Sequence, residues 1–167
     1  MEYWDIVDEK GNRTGIVHPR DQLMADGEYH LSVSVWITDG NGRFLISQRA
    51  ENKSVNPGMW ETTGGSALSG ESSLQAALRE TKEELGIELN PQDGEIFKKY
   101  TWPHSNGHGG AYIEVWVFQC DVELSSVVLQ KKETQNAAFA DRKKLKALIA
   151  EGKFINYTYL DELFANY

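Results

Sequence analysis

A chain of 167 residues has the length of one ordinary domain, and at this size folding buries roughly 70% of the surface an unfolded chain exposes, so a core needs no staples. The formal charge of −8, with no lysine or arginine cluster to offset it, excludes broad binding to a nucleic-acid polymer, and no stretch approaches the roughly 18 apolar residues of a membrane span. One cysteine, Cys120, in an apolar run excludes an internal disulfide framework, and with the acidic, mixed start Met1-Glu2-Tyr3-Trp4-Asp5 it points to a reducing cytoplasm.

Tyr3 to Asp8 and Thr14 to His18 read as extended runs across a turn-rich stretch, which predicts an N-terminal β-hairpin. Leu31 to Thr38 alternates apolar and polar residues, Asp39-Gly40-Asn41-Gly42 supplies turn chemistry, and Arg43 to Gln48 resumes the extended pattern, predicting a second hairpin. A polar loop punctuated by Pro57-Gly58 leads to a short run, Met59 to Thr63, and then to Gly64-Gly65. From Glu71 onward Leu74, Ala77, Leu78, Thr81 and Leu85 recur at helical spacing, with Gly86 placed as a C-terminal cap. Two further strands, Glu95 to Trp102 and Tyr112 to Cys120, flank the loop Pro103 to Gly110. An extended piece near Thr134 to Phe139, a helix from about Arg142 to Glu151 and a terminal helical turn from Tyr159 complete the chain. Strands interleaved with helices predict a mixed sheet covered on both faces, and no linker divides residues 1–167 into separate domains.

The polar side of the central helix carries the chemistry. At about 100° per residue, Glu80, Glu83 and Glu84 project within a sector of roughly 100°, and Glu80 to Glu84 spans about 6 Å along the axis. Like charges at this spacing repel, the more so where a fold desolvates them, and a hard cation reverses the sign. A solvated helix face is the bland alternative for a Glu-Glu pair alone. Carboxylate and carbonyl oxygens suit Mg²⁺, which commonly bridges to substrate phosphates, and the side-chain-free Gly64-Gly65 turn lets backbone groups approach a metal or phosphate. An acidic protein acting on a phosphorylated metabolite needs such an intermediary.

Gly65, Glu71, Arg79, Glu80, Glu83, Glu84, Gly86 and Ile87 fit the pattern G-x5-E-x7-R-E-U-x-E-E-x-G-U, where U is bulky and apolar, and here the chain resembles the Nudix family over roughly residues 30–150. Thr81 stands where that pattern usually has an aliphatic residue, and Thr63 where proline is frequent. The resemblance implies an α/β/α sandwich, with residues 65–87 as loop, helix and loop and residues 1–29 as a hairpin extension. It also implies that Glu80, Glu83 and Glu84 hold Mg²⁺, or Mn²⁺ in its place, with a backbone carbonyl near Gly65, while Arg79 pairs with Glu71 and orients Glu80.

The expected reaction is hydrolysis of a diphosphate linkage in a small phosphorylated metabolite such as a nucleoside diphosphate derivative. Glu80 and Glu84 are candidates for proton transfer, and among acidic residues outside the motif Glu114 comes before Glu133, because a charge between Tyr112 and Trp116 in a strand needs a reason. Arg49 is a candidate phosphate contact and Trp60 a candidate stacking surface, although each is as readily a surface or core residue. His30 to Ile37, Pro57 to Trp60 and Glu114-Val115 also look like the isopentenyl diphosphate isomerase branch. Its cysteine after the tryptophan loop is absent from Thr62-Thr63-Gly64-Gly65. A non-catalytic ligand-binding module would be expected to have lost a motif glutamate, and none is lost. The N-terminal hairpin offers a strand edge for a homodimer.

Overall fold

A computed structural model describes residues 1–167. Strands β1 (Tyr3–Val7) and β2 (Arg13–Pro19) form the predicted leading hairpin, its turn fixed by Asp8, whose Oδ1 accepts from the backbone N–H of Lys10 at 2.8 Å and of Asn12 at 2.9 Å. Strands β3 (Tyr29–Thr38) and β4 (Arg43–Arg49) follow around a turn where Asp39 likewise accepts from Asn41 at 2.8 Å and Arg43 at 3.1 Å. Short strands β5 (Trp60–Glu61) and β6 (Thr63–Ser66) lead into helix α1 (Ser73–Leu85). Then come β7 (Gly94–Pro103), β8 (Gly110–Gln119), β9 (Thr134–Asp141), α2 (Arg142–Ala150) and α3 (Leu160–Asn166).

The sheet is mixed and organised around β3. One edge of β3 runs parallel to β8 from Tyr29↔Gly110 to Thr38↔Gln119. Its other edge is shared in succession by β1 at Ile6↔His30, β6 from Ser32↔Ser66 to Val35↔Thr63, and β4 at Ile37↔Leu45. Because three partners leave β3 along one edge, the sheet splays there, with β9 and β5 continuing beside β4.

Period-two alternation sorts the core into two layers. Trp36, Val115 and Val117 face α2 and α3, where they meet Leu145, Leu160 and Leu163. Their neighbours Val35, Ile37, Trp116 and Phe118 face α1 and pack on Ala76, Ala77 and Leu85. The result is the predicted α/β/α sandwich. No helix is long and apolar enough to cross a membrane.

Candidate active site

Helix α1 begins where the sequence can satisfy its free N–H groups. Ser72 caps it, its hydroxyl accepting from Gln75 N–H at 3.2 Å, while the Gln75 side chain accepts from Ser72 N–H at 2.8 Å. Gly86 ends it at φ 70°, and an added Cβ there would come within 2.8 Å of Val128 Cβ.

Arg79 ties the helix to the loop before it. Its Nε and Nη2 donate to the two oxygens of Glu71 at 2.8 and 2.9 Å, and Nη2 also donates to the Ser66 carbonyl at 3.0 Å. Nη1 reaches Glu80 at 3.0 Å and Glu83 at 3.3 Å. Glu71 closes the loop by accepting from Leu68 N–H at 2.8 Å; burial alone would raise its pKa, but the Arg79 fork and that N–H hold it below the usual carboxylate range. The Glu71–Arg79–Glu80 relay expected from the sequence is therefore present as geometry.

A cavity of about 400 Å³ opens over this helix, its lining including Gly64, Gly65, Ser66, Glu80, Glu83 and Glu84 together with Arg49, Lys53, Gln130 and Glu133. Burial pushes the Glu84 carboxyl up to about 8; the Thr63 hydroxyl that donates to it pulls the other way, while the charges of Glu80, Glu61 and Glu133 add to the rise. Burial also raises Glu80, partly offset by Arg79. The charged forms are thus held at a cost that Arg79 only partly relieves. Gly65 sits against Glu80 so closely that a methyl group on it would overlap the carboxylate. Glu80 and Glu83 turn toward Arg79 and Glu84 toward Thr63, so the carboxylates line one cavity without converging on a preformed three-ligand cage. Hard oxygen donors, a deficit of positive charge and a bare glycine wall together fit a divalent cation of the Mg²⁺ type.

Four expectations meet different fates. Arg49 and Glu133 do line the cavity, but Arg49 is held by Glu61 at 2.8 and 3.1 Å and by the Val55 carbonyl at 3.0 Å, and Glu133 pairs with Lys53. Trp60, expected as a stacking surface, instead packs against the core beneath α2 and α3, with its backbone bonded to Lys153 and Ile155, and does not line the cavity. Glu114, expected as the leading base outside the motif, is also not in the lining. Its carboxylate accepts from the Ser73 hydroxyl at the first turn of α1 and pairs with Lys99 at 2.7 Å.

Sequence reasoning missed Glu61, Lys53, Thr63 and the two hairpin residues Glu2 and Arg20, the last two of which reach the same cavity. The alternation of the run Met59 to Thr63 could have flagged Glu61 and Thr63. Nothing local marks Glu2 or Arg20.

Residues 28–163 match the NUDIX domain. An uncharacterized Nudix hydrolase of Listeria monocytogenes is 38% identical over 165 residues, covering 98% of this chain and 94% of that protein. The isopentenyl-diphosphate Delta-isomerase of Streptomyces griseus is 38% identical over 84 residues, 50% of this chain and 43% of its own length. In fold, the chain is similar to the crystal structure of DR0079 from Deinococcus radiodurans, with a TM-score of 0.73 at 21% identity and 98% coverage of both chains.

Proposed function

The chain belongs to the Nudix family of pyrophosphohydrolases, which act on small phosphorylated substrates and generally use divalent metal ions, and from that premise we propose that it is a Mg²⁺-dependent hydrolase of a diphosphate linkage in a small metabolite. The observation that carries this reading is the meeting of Glu80, Glu83 and Glu84 with Gly64–Ser66, which the structure places in strand β6 and not in the expected turn, around one polar cavity that Arg49 and Lys53 also line.

Glu80, Glu83 and Glu84 would hold the metal, with a backbone carbonyl near Gly65. Bound Mg²⁺, or Mn²⁺ in its place, supplies charge neutralisation at phosphate oxygens and lowers the pKa of a water. Arg79 keeps Glu80 aimed into the cavity and is a positioning residue. Glu84 and Glu80, which face the same cavity, are the motif groups we assign to accept a proton from the attacking water. Arg49 and Lys53 present positive charge to substrate phosphates, with Glu61 and Glu133 fixing where those charges sit. Glu114 serves as an anchor for the first turn of α1.

Residues 1–29 act as part of the same domain, because the hairpin supplies cavity residues and bonds to the motif loop. Cys120 lies by Gly86 and Glu88 on another surface, so the cavity lacks the thiol that the isomerase resemblance calls for. A reducing cytoplasm suits that unpaired thiol, and the outer edge of β2, which pairs only with β1, is where a homodimer would form.

Product analysis of a panel of nucleoside diphosphate derivatives, nucleoside triphosphates and prenyl diphosphates, with and without Mg²⁺, tests the proposal, scoring the phosphomonoesters, pyrophosphate or phosphate that cleavage of the linkage frees. Metal-dependent cleavage of at least one class is expected. Isomerised isopentenyl diphosphate without cleavage of any member, or no turnover of any member, would refute it.

A further inference from the structure

The loop between β6 and the cap of α1 is held by residues from the start of the chain. Ser69 N–H donates to the Tyr3 carbonyl at 2.8 Å, Ser69 Oγ donates to Asp5 Oδ1 at 2.5 Å, and Gly70 N–H donates to Asp5 Oδ2 at 3.0 Å. Arg13 donates through Nη1 to Asp5 Oδ2 at 2.7 Å and through Nη2 to the Glu71 carbonyl at 2.8 Å. Ser69 and Gly70 are exposed, and the hydrogen bonds they make go to this hairpin. Without it, the loop is fixed only at its ends, where Ala67 N–H donates to the Leu31 carbonyl and Ser72 caps the helix.

Asp5 is the centre of the clip. Both of its oxygens are engaged, which fixes the carboxylate in orientation as well as in place, and its side chain is only 19% exposed, so these charge-assisted bonds are partly shielded from water. Glu71 carries the restraint inward. Arg13 holds its backbone carbonyl, while its carboxylate takes two nitrogens of Arg79, whose third nitrogen reaches Glu80. A continuous line of hydrogen bonds thus runs from the hairpin to the cavity.

Resting on the hydrolase reading above, we propose that Asp5 is a positioning residue for the metal site: with Arg13 it clips Ser69, Gly70 and Glu71 in the place from which Glu71 and Arg79 aim Glu80 into the cavity. Asp5 does not line that cavity. Its effect is to order the support of a ligand before a cation arrives, which lowers the cost of binding. A hydrogen-bond partner directly behind a ligand typically governs about 10- to 100-fold of metal affinity, and Asp5 acts further out, so a loss of about fivefold is expected on its removal. The hairpin itself does not depend on Asp5, because Trp4 and Ile6 bury with Met24 and Ile6 pairs with His30 of β3.

Mn²⁺ binding, read from the loss of the free-ion EPR signal, and amide hydrogen exchange at Gly70 in metal-free protein test the inference without any substrate. Asp5→Ala should weaken Mn²⁺ binding about fivefold and speed exchange at Gly70, while Asp5→Asn, which keeps one acceptor oxygen, should fall between it and the wild type. In a Glu71→Gln background, where the line to Arg79 is already loosened, Asp5→Ala should change Mn²⁺ affinity less than twofold yet still speed exchange. Asp8→Ala loosens the hairpin turn without touching the loop and should leave both readouts as in the wild type. Wild-type affinity in Asp5→Ala, an equal loss in the Glu71→Gln background, or as large a loss from Asp8→Ala would overturn the inference even if the wild type cleaves a diphosphate. The expected pattern in a protein that cleaves none would sink the hydrolase reading alone, and a wild type that binds no Mn²⁺ would overturn both.

Discussion

Thr63, at the start of β6, donates its hydroxyl to the carboxylate of Glu84, four residues after Glu80 on the cavity side of α1. A single neutral hydroxyl is weak compensation for a carboxylate this buried, which is why burial still carries Glu84 up to about 8. A carboxylate proposed here as a metal ligand is thus held in the fold at some cost to stability.

Glu84→Gln should therefore separate activity from stability. The amide keeps the contact with Thr63 and removes the charge, so metal-free melting at pH 8 should match or exceed wild type, while kcat falls by about two orders of magnitude or more. Added Mg²⁺ should raise the wild-type Tm and have a smaller effect on the variant. Thermal melts with and without Mg²⁺, beside steady-state kinetics, check all three; unchanged turnover would remove Glu84 from the site.

Glu114→Gln tests the placement of that residue outside the cavity. Its contacts are Ser73 and Lys99, so the substitution should lower stability by about 1–3 kcal/mol and leave kcat within a fewfold of wild type. Denaturant unfolding and the pH profile of kcat are the measurements. A lost acidic limb in a well-folded variant would return Glu114 to the catalytic role.

These two glutamates show what the sequence could and could not convey. The motif glutamates are local: helical spacing fixes their common face, the Ser72 and Gly86 caps fix the ends of the helix, and so the acidic lining of the cavity was readable. Glu114 obeys period two, which correctly groups it with Trp116 but does not say what that face meets. The answer depends on the parallel pairing of β3 with β8, which sets Val33 opposite Glu114 across 81 positions of chain and brings the strand beneath Ser73. The choice between core and pocket for Trp60 was open in the sequence for the same reason, since its partners Lys153 and Ile155 come from the far end of the chain. Arg20 and Glu2 reach the cavity only because Asp5 and Arg13 bond the loop at Ser69–Glu71, contacts that no local pattern encodes.

Thr81 replaces the usual aliphatic residue of the motif, and the structure gives the consequence. It is fully buried on α1, as are Ala76, Ala77 and Leu85 of the same helix, and its hydroxyl has no hydrogen-bond partner. Thr81→Val removes that unsatisfied group at nearly constant volume and should stabilise the protein by about 1 kcal/mol, or roughly 2–4 °C in Tm, without altering kcat. A lower Tm would mean that the hydroxyl is satisfied in solution.

His30 supplies a pH dependence away from the metal site. Its ring stacks on Trp4 at 4.0 Å, and burial, reinforced by the nearby His104 and Arg20, lowers its pKa from 6.5 to about 4, with a hydrogen bond to Gly110 opposing the shift. The neutral ring is therefore the form the fold accepts. Above pH 6.5 neither the folded nor the unfolded state pays for a proton; as pH falls toward 4 the unfolded chain takes up a proton that the folded chain refuses, so stability declines by up to about 3 kcal/mol across that window. His30→Phe keeps a ring against Trp4 and cannot titrate, so it should gain stability relative to wild type as pH falls from 6.5 to 4.5, because the raised carboxyls Glu84, Glu80 and Glu61 contribute alike to both proteins and cancel in the comparison. Urea unfolding at half-unit pH steps measures the two slopes, and parallel slopes for wild type and variant would place the acid sensitivity elsewhere.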